Sequence, residues 1–218
     1  VKLSVGGVSY FAEFYNKAYF VKFPMAGEYN VKNSLGVLAL LNELGFDVKE
    51  IINGLLECSG VRGRSEIIPT NRDFTIICDF AHTPDALRKI LTQVKPFTKG
   101  KLYCLFGAAG ERDAVKRPLM GDVVATLADY IILTSDNPAY EDEQKIANDV
   151  LKGINNHETP YTVILDRVEA IEYAVGLLGS GDVLVLAGKG HEDYQHIKDE
   201  KIPFDEREIV RNALDKKR

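Results

Sequence analysis

Arg112, Lys116 and Arg117 stand within a few positions of one another, directly after the small-residue run Gly107-Ala108-Ala109-Gly110. All three can meet carboxylates, and Arg112 can do so bidentately. Further along, Asp136 in Ser135-Asp136-Asn137-Pro138-Ala139 and Glu192 in Gly188-Lys189-Gly190-His191-Glu192 can meet an ammonium group. A fourth segment of similar texture, Ala81-His82-Thr83-Pro84-Asp85, follows Asp79. Fixed charges of both signs on Gly-, Pro- and amide-rich segments suit a small charged ligand.

The elements that must position these residues follow from the hydrophobic pattern. From Ile67 onward, short apolar runs alternate with amphipathic stretches. The strands are expected at Phe74–Phe80, Leu102–Phe106, Tyr130–Thr134, Thr162–Leu165 and Val183–Ala187. The helices are expected at Pro84–Val94, Arg117–Leu127, Glu143–Ile154, Val168–Leu178 and Asp205–Asp215. That alternation predicts an α/β fold of Rossmann-like type, a mostly parallel sheet with helices on both faces. Such sheets bind ligands outside the carboxyl ends of their strands, and each polar segment above follows a strand. Before Ile67 the texture differs. Val5–Phe23, broken at Gly6-Gly7 and Asn16-Lys17, reads as antiparallel strands, and Asn33–Leu44 and Val48–Leu56 as helices. The domain boundary is expected near Pro69–Arg72, giving domains 1–68 and 69–218.

Taken singly, each segment has a plainer reading. Thr83-Pro84-Asp85 is a good helix start, Asp136-Asn137-Pro138 a turn, and Gly188-Lys189-Gly190 a helix-entry loop. The cations could form a solvated face, and His82 or His191 could be structural. Convergence on one sheet edge is what favours a site. No G-x-x-x-x-G-K-[ST] and no G-x-G-x-x-G after a strand occurs, so a phosphate loop and a dinucleotide fingerprint are both absent from the sequence.

The net charge of −5 has interleaved signs and gives no nucleic-acid or membrane footprint. No apolar run approaches a membrane span of about 20 residues. The three cysteines show no metal spacing and are expected to be buried, reduced thiols of a cytoplasmic protein. Val1-Lys2-Leu3-Ser4 has no signal-peptide pattern and no initiator Met, as expected of a fragment.

Read in order, these segments resemble the muramyl tripeptide synthetases of the Mur ligase family. Asp79-Phe80-Ala81-His82-Thr83-Pro84-Asp85-Ala86-Leu87 resembles their D-Y-A-H-T-P-D-A-L. Gly110-Glu111-Arg112-Asp113 with Lys116-Arg117-Pro118-Leu119-Met120-Gly121 resembles G-D-R-D-x-x-K-R-P-x-M-G, and Thr134-Ser135-Asp136-Asn137-Pro138 resembles T-x-D-N-P. Asp166-Arg167, the Gly188–Glu192 loop with Tyr194-Gln195, and Phe204-Asp205-Glu206-Arg207-Glu208 complete the series. Upstream, Gly27–Asn33 and Gly63-Arg64-Ser65-Glu66 resemble the end of the family's central P-loop ATPase domain.

The resemblance implies an enzyme that uses ATP and Mg²⁺ to join an amino acid to the D-Glu of UDP-N-acetylmuramoyl-L-Ala-D-Glu. It implies Asn30, Asn33, Arg64, Asp79 and His82 near the nucleotide, and Arg112, Asp136, Asn137, Pro138, Ala139, Gly188 and Glu192 around the incoming amino acid. Residues 1–68 would be the tail of the ATPase domain, with the phosphate loop, the Mg²⁺ ligands and the catalytic groups upstream. The chain alone is then expected to be inactive, with no metal ligands of its own and no tightly bound cofactor. Departures occur at Phe80 for Tyr, Ala109 for Gly and Glu111 for Asp. The weightiest is Ala139, where members that add diaminopimelate have Arg in D-N-P-R. A diacid there loses a partner worth roughly 1.5–3 kcal/mol, so L-lysine is the expected amino acid, its terminal ammonium on Asp136 or Glu192. The alternatives are a related Mur or folylpolyglutamate-type ligase and a non-catalytic small-molecule binding module.

Overall fold

Residues 1–4 and 6–217 are described by a computed structural model. Val5, expected to open the first strand set, lies outside the described residues. The chain forms two compact units, Val1–Val61 and Arg62–Arg218.

The first unit is a three-stranded antiparallel meander, β1 (Lys2–Ser4), β2 (Gly7–Phe14) and β3 (Lys17–Phe23), with α1 (Tyr29–Glu43) and α2 (Val48–Leu56). Tyr15 and Asn16, with φ of 49° and 62°, form the two-residue turn between β2 and β3. Period-2 alternation buries Val8, Tyr10 and Ala12 of β2 against Val31 and Leu38 of α1 and Ile51 and Leu55 of α2. Tyr10 and Ser34 exchange a 2.7 Å hydrogen bond that ties β2 to α1. Val37, Leu40, Leu44 and Phe46 remain exposed.

The second unit is built on six strands in the order β4 (Glu66–Ile68), β5 (Thr75–Asp79), β9 (Val183–Ala187), β6 (Leu102–Phe106), β7 (Tyr130–Leu133) and β8 (Tyr161–Val163). All pairings are parallel except β4 with β5. The connecting helices are α3 (Pro84–Val94), α4 (Lys116–Leu127), α5 (Glu143–Ile154) and α6 (Arg167–Leu177), with α7 (Glu206–Lys216) last. The chain steps from β5 past a vacant place to β6, β7 and β8, then returns through α6 so that β9 fills the gap. Right-handed crossovers therefore put α3, α4 and α5 on one face and α6 on the other. Accordingly Ala170, Ile171 and Val175 of α6 pack with Val210 and Leu214 of α7 over Cys78, Leu105, Ile132 and Leu186. The central strands β6 and β9 are buried at every residue, which explains their unbroken apolar runs.

Several features depart from the sequence reading, among them the start of α1, at Tyr29 rather than Asn33. The two units divide at Val61 and Arg62 rather than at 68 and 69, because Glu66–Ile68 pairs with β5 and belongs to the second unit. That short strand escaped notice because only three residues are paired. So did the hairpin β10 (Tyr194–Ile197) and β11 (Glu200–Pro203), whose residues are half-buried or exposed and lack an apolar run. Cys58 is exposed, whereas Cys78 and Cys104 are buried as expected.

The carboxyl ends of the parallel strands are held by a buried ion pair. Asp166 and Asp205 cap α6 and α7, accepting hydrogen bonds from the first-turn amides. Each is followed by a charged first helical residue, Arg167 and Glu206, whose side chains are fully buried. Arg167 Nε and Nη2 donate to Glu206 Oε1 at 3.0 and 2.8 Å. Nη2 also donates to the carbonyl of Ala187 at 2.8 Å, and Nη1 to that of Ser135 at 3.4 Å. One guanidinium thus ties the end of β9 to the segment after β7. Burial works against its charge, but Glu206 and then Asp136 outweigh this and hold its pKa above the usual value.

Removing one partner of a buried pair strands the other. Arg167→Met is expected to lower unfolding stability by about 3–5 kcal/mol. Arg167→Met with Glu206→Leu, which leaves no buried charge, is expected to cost less than the single change; urea midpoints check both. Burial pushes the Cys104 thiol up to about 12. Burial, followed by the Glu206 carboxylate, raises that of Cys78. At pH 8 iodoacetamide is therefore expected to alkylate only Cys58 in the native chain and all three cysteines in denaturant, read by mass.

Candidate functional site

The segment after β5 is stitched to the residues just before β4. Asp79 Oδ2 accepts from the Ser65 amide at 2.7 Å, and Oδ1 from the Ala81 amide at 2.9 Å. Burial nonetheless raises the Asp79 carboxyl above its ordinary value, since desolvation outweighs these bonds. The next residue, Phe80, takes the Arg64 guanidinium over its ring at 4.8 Å. The rings of His82 and His191 lie 4.6 and 5.0 Å from it. The stack needs close backbone approach. Gly63 and Gly190 have φ of +69° and +54°. A Cβ on Gly63 would fall 2.1 Å from the Gly190 carbonyl carbon, and one on Gly190 2.6 Å from Phe80 Cβ.

The loop between β6 and α4 treats its two arginines differently. Arg117 is 3% exposed and already committed, pairing with Glu141 at 2.8 Å and Asp149 at 3.1 Å and donating to the carbonyl of Ala109. The carboxylates it meets are thus the protein's own, although it lines the cleft and its buried Nε has no hydrogen-bond partner. Arg112 is exposed and, among the described residues, makes no ion pair or side-chain hydrogen bond. The loop is fastened to the next one by the Gly110 amide, which donates to the carbonyl of Asn137 at 2.8 Å.

The segments after β7 and β9 meet on a lysine. The Lys189 side chain is fully buried. Its ammonium lies 3.2 Å from Asp136 Oδ1, 3.3 Å from Glu192 Oε2 and 3.1 Å from the carbonyl of Tyr194. It also donates to Asn137 Oδ1. Asn137 Nδ2 in turn donates to Glu192 Oε2 at 3.0 Å. Asp136 and Glu192, expected to receive a ligand ammonium, are thus already joined by one from the protein itself. Asp136 is 4% exposed and enclosed. Glu192 remains 20% exposed, and its Oε1 makes no hydrogen bond among the described residues. The hairpin completes this wall. Gln195 Nε2 donates to the carbonyl of Asp136 at 2.8 Å, and the His196 amide to Asn137 Oδ1 at 2.8 Å. Ala139, with φ of +51°, donates its amide to His196 and accepts from the Lys198 amide.

These segments enclose a cleft of about 550 Å³. Arg112, Asp136, Asn137, Gly188 and Glu192 line it together with His82, Phe80 and Met120. Pro138 and Ala139 are not lining residues, and neither are Arg64 and Asp79. Asn30 and Asn33 belong to the first unit. There Asn30 is buried, donating to the carbonyl of Ala26 and accepting from Asn33. Sequence reasoning missed Lys189, Arg167, Glu206 and the stacking role of Phe80. The i, i+3 spacing of Lys189 and Glu192 was the one available signal. No group of three or more His, Cys, Asp or Glu residues able to hold a metal occurs among the described residues.

The family profile described as "Mur ligase, glutamate ligase domain" matches residues 63–190. A UDP-N-acetylmuramoyl-L-alanyl-D-glutamate–2,6-diaminopimelate ligase of Caldanaerobacter subterraneus subsp. tengcongensis is 42% identical over 214 residues, covering 98% of this chain and 44% of the relative. The protein of the same name from Clostridium tetani is 43% identical over 218 residues, with 99% and 44% covered. A solved structure of a ligase of that name superposes with a TM-score of 0.74 at 35% identity, over 98% of this chain and 44% of the other. A folylpolyglutamate synthase from Thermotoga maritima, 20% identical with a TM-score of 0.67 over 85% of this chain and 42% of the other, shares the fold. The chain spans less than half the length of these relatives. With its polar strand ends gathered in one cleft and the glutamate ligase profile across them, the chain belongs to the Mur ligase family.

Proposed function

We propose that this chain supplies the amino-acid cleft of an ATP-dependent amide ligase that extends UDP-N-acetylmuramoyl-L-Ala-D-Glu by one amino acid in peptidoglycan precursor synthesis. The observation that carries this is the pairing, in one cleft, of an unengaged guanidinium at Arg112 with a held carboxylate at Glu192. A carboxylate on Arg112 and a terminal ammonium on Glu192 would fix an amino acid at both ends and leave its α-amine to react. ATP would supply the phosphoryl group that activates the D-Glu γ-carboxylate. The α-amine would then attack the acyl phosphate, and the tetrahedral adduct would collapse to amide and phosphate, with ADP already released from the phosphoryl transfer. The chain's part is orientation and exclusion of water.

Residues 1–61, on this reading, are the tail of an ATPase domain. Mg²⁺ and the ATP phosphates fall to the portion of the relatives that this chain does not cover. Asn30, Asn33, Arg64, Asp79 and His82 would serve the nucleotide, with Phe80, Arg64 and His191 giving His82 a firm backing. The enzyme would work in the cytoplasm, where its nucleotide substrates reside, and this chain alone would hold no cofactor tightly.

For the amino acid, the reading favours L-lysine. Ala139 offers no charge, Arg117 is neutralised by Glu141 and Asp149, Lys116 is paired with Asp113 at 3.6 Å, and Arg112 is the lining cation that makes no ion pair among the described residues. The names of the relatives favour a second reading, meso-diaminopimelate, which would need another cation for its distal carboxylate. Competition between the two amino acids in the protein joined to its upstream domains, with UDP-N-acetylmuramoyl-L-Ala-D-Glu and ATP, decides between them. Preferential incorporation of lysine is expected, and preferential incorporation of diaminopimelate would refute it. A non-catalytic binding module would consume no ATP in the same assay. Arg112→Ala is expected to raise the KM for the amino acid by roughly 10- to 150-fold, as loss of a charged hydrogen bond does, while the KM for ATP stays within about twofold.

A further inference from the structure

Lys189 does not line the cleft, yet it touches Asp136, Asn137 and Glu192, three of the residues that do. We propose that Lys189 is a positioning residue that sets the cleft to accept a ligand with one ammonium and one carboxylate. This rests on the reading that the cleft takes an amino acid.

The argument is a count of charges. Arg167 and Glu206 form a closed buried pair beneath the wall. Asp136 and Glu192 carry two negative charges, and Lys189 returns one positive charge. One negative charge is left, on the wall's more exposed member, Glu192, which keeps a free oxygen. Lys116 and Asp113 also line the cleft and pair with each other at 3.6 Å, and Arg117 is neutralised by Glu141 and Asp149, which leaves Arg112 as the open cation. Without Lys189, Asp136 and Glu192 would stand on the wall with no ammonium between them to hold them in place. Asn137 Oδ1 and Glu192 Oε2 would each lose their charged donor as well. A lysine whose α-amine is neutral and ready to attack carries one ammonium and one carboxylate, and so matches the remaining charges. A diacid does not.

The ammonium thus supplies rigidity as well as charge. Glu192 comes from the β9 side and Asn137 from the β7 side. They are joined by a direct hydrogen bond and by a shared donor that cannot rotate into solvent. Desolvated charge pairs of this kind are strong only while every member is satisfied.

The test uses 6-aminohexanoate, which is lysine without its α-amine, and hexanoate, which lacks the ammonium too. Each is titrated into the 218-residue chain and followed through the amide signals of Gly188, Asn137 and Glu192. Wild type is expected to bind 6-aminohexanoate at least about tenfold more tightly than hexanoate, as a charge-assisted contact provides. Lys189→Met is expected to bring the two affinities to within about threefold of each other, with hexanoate itself little changed. Glu192→Gln, a milder change at a partly exposed position, is expected to do the same and decides the matter should Lys189→Met not fold. Equal loss of both ligands in Lys189→Met would mark a merely structural lysine and overturn the proposal. So would an unchanged preference in either variant, or no saturable binding of 6-aminohexanoate to wild type. The ligase reading fails separately: binding that follows this pattern, in a protein that consumes no ATP once joined to its upstream domains, leaves the cleft assignment standing and removes the reaction.

Discussion

The cleft depends on one buried guanidinium. Parallel strands end with carbonyls that have no partner in the sheet, and the polar loops after them would drift unless something gathered those ends. Arg167 does so, with the carbonyls of Ala187 and Ser135 on its nitrogens and Glu206 to balance it. A cation in the first turn of a helix is opposed by the helix dipole, whereas an anion there is favoured. Arg167 begins α6 and Glu206 begins α7, so the second helix start offsets the first. The pair is expensive to bury, and replacing such pairs by apolar groups is often harmless to stability. What the apolar version would lack is directional bonds to two separate strand ends. Keeping an ion pair here is therefore better understood as fixing geometry than as adding stability.

From that pair the charges alternate outward. Asp136 supports the Arg167 charge from one side and meets Lys189 on the other, and Lys189 meets Glu192 at the cleft surface. Each buried charge has a neighbour of opposite sign, which is the condition for burying it at all. The opposite strategy holds in the β6–α4 loop. There the buried Arg117 is saturated by two carboxylates, which fixes the loop, and Arg112 is left in solvent with nothing to hold. One side of the cleft offers a braced anion and the other a free cation. A ligand that must be gripped at both ends, with its middle presented for reaction, is served by that asymmetry.

Much of this was legible in the sequence for an identifiable reason. Leu102–Phe106 and Val183–Ala187 are apolar at every position because both faces of the sheet are covered, and their limits were read without error. Pro84–Val94 begins at Thr83-Pro84 and ends where expected. The gathering of Arg112, Asp136 and Glu192 followed from topology, since parallel strands must end at one edge. What escaped were facts about burial. A lysine between two glycines reads as a flexible loop, and nothing local says that its ammonium is walled in by Asp136, Asn137 and Tyr194. Arg117 and Arg112 look alike as letters, and only the fold separates the saturated one from the open one. The hairpin Tyr194–Pro203 was missed because its strands bury no apolar face and are held by backbone pairing and by hydrogen bonds to Asp136, Asn137 and Ala139. Cys58 lies beyond the end of α2, outside the spacing that sets the buried face of that helix, and is exposed.

In the proposed ligase, the position expected to bear on the amino acid is held through its backbone rather than its side chain. Ala139 sits at a φ of +51°, which costs a residue with a Cβ of the order of 1 kcal/mol. It is held there by bonds that use only main-chain atoms, its amide to His196 and its carbonyl from Lys198. The neighbouring loop is fixed in the same way, through the Gly110 amide on the carbonyl of Asn137. The path of the chain at 139 is therefore set by the hairpin and not by the methyl group, which is itself buried. In the proposed ligase, selectivity between a monocarboxylate and a diacid would be adjusted at one side chain, whereas Lys189, Asp136 and Glu192 are coupled, so that a change at one alters what the others hold.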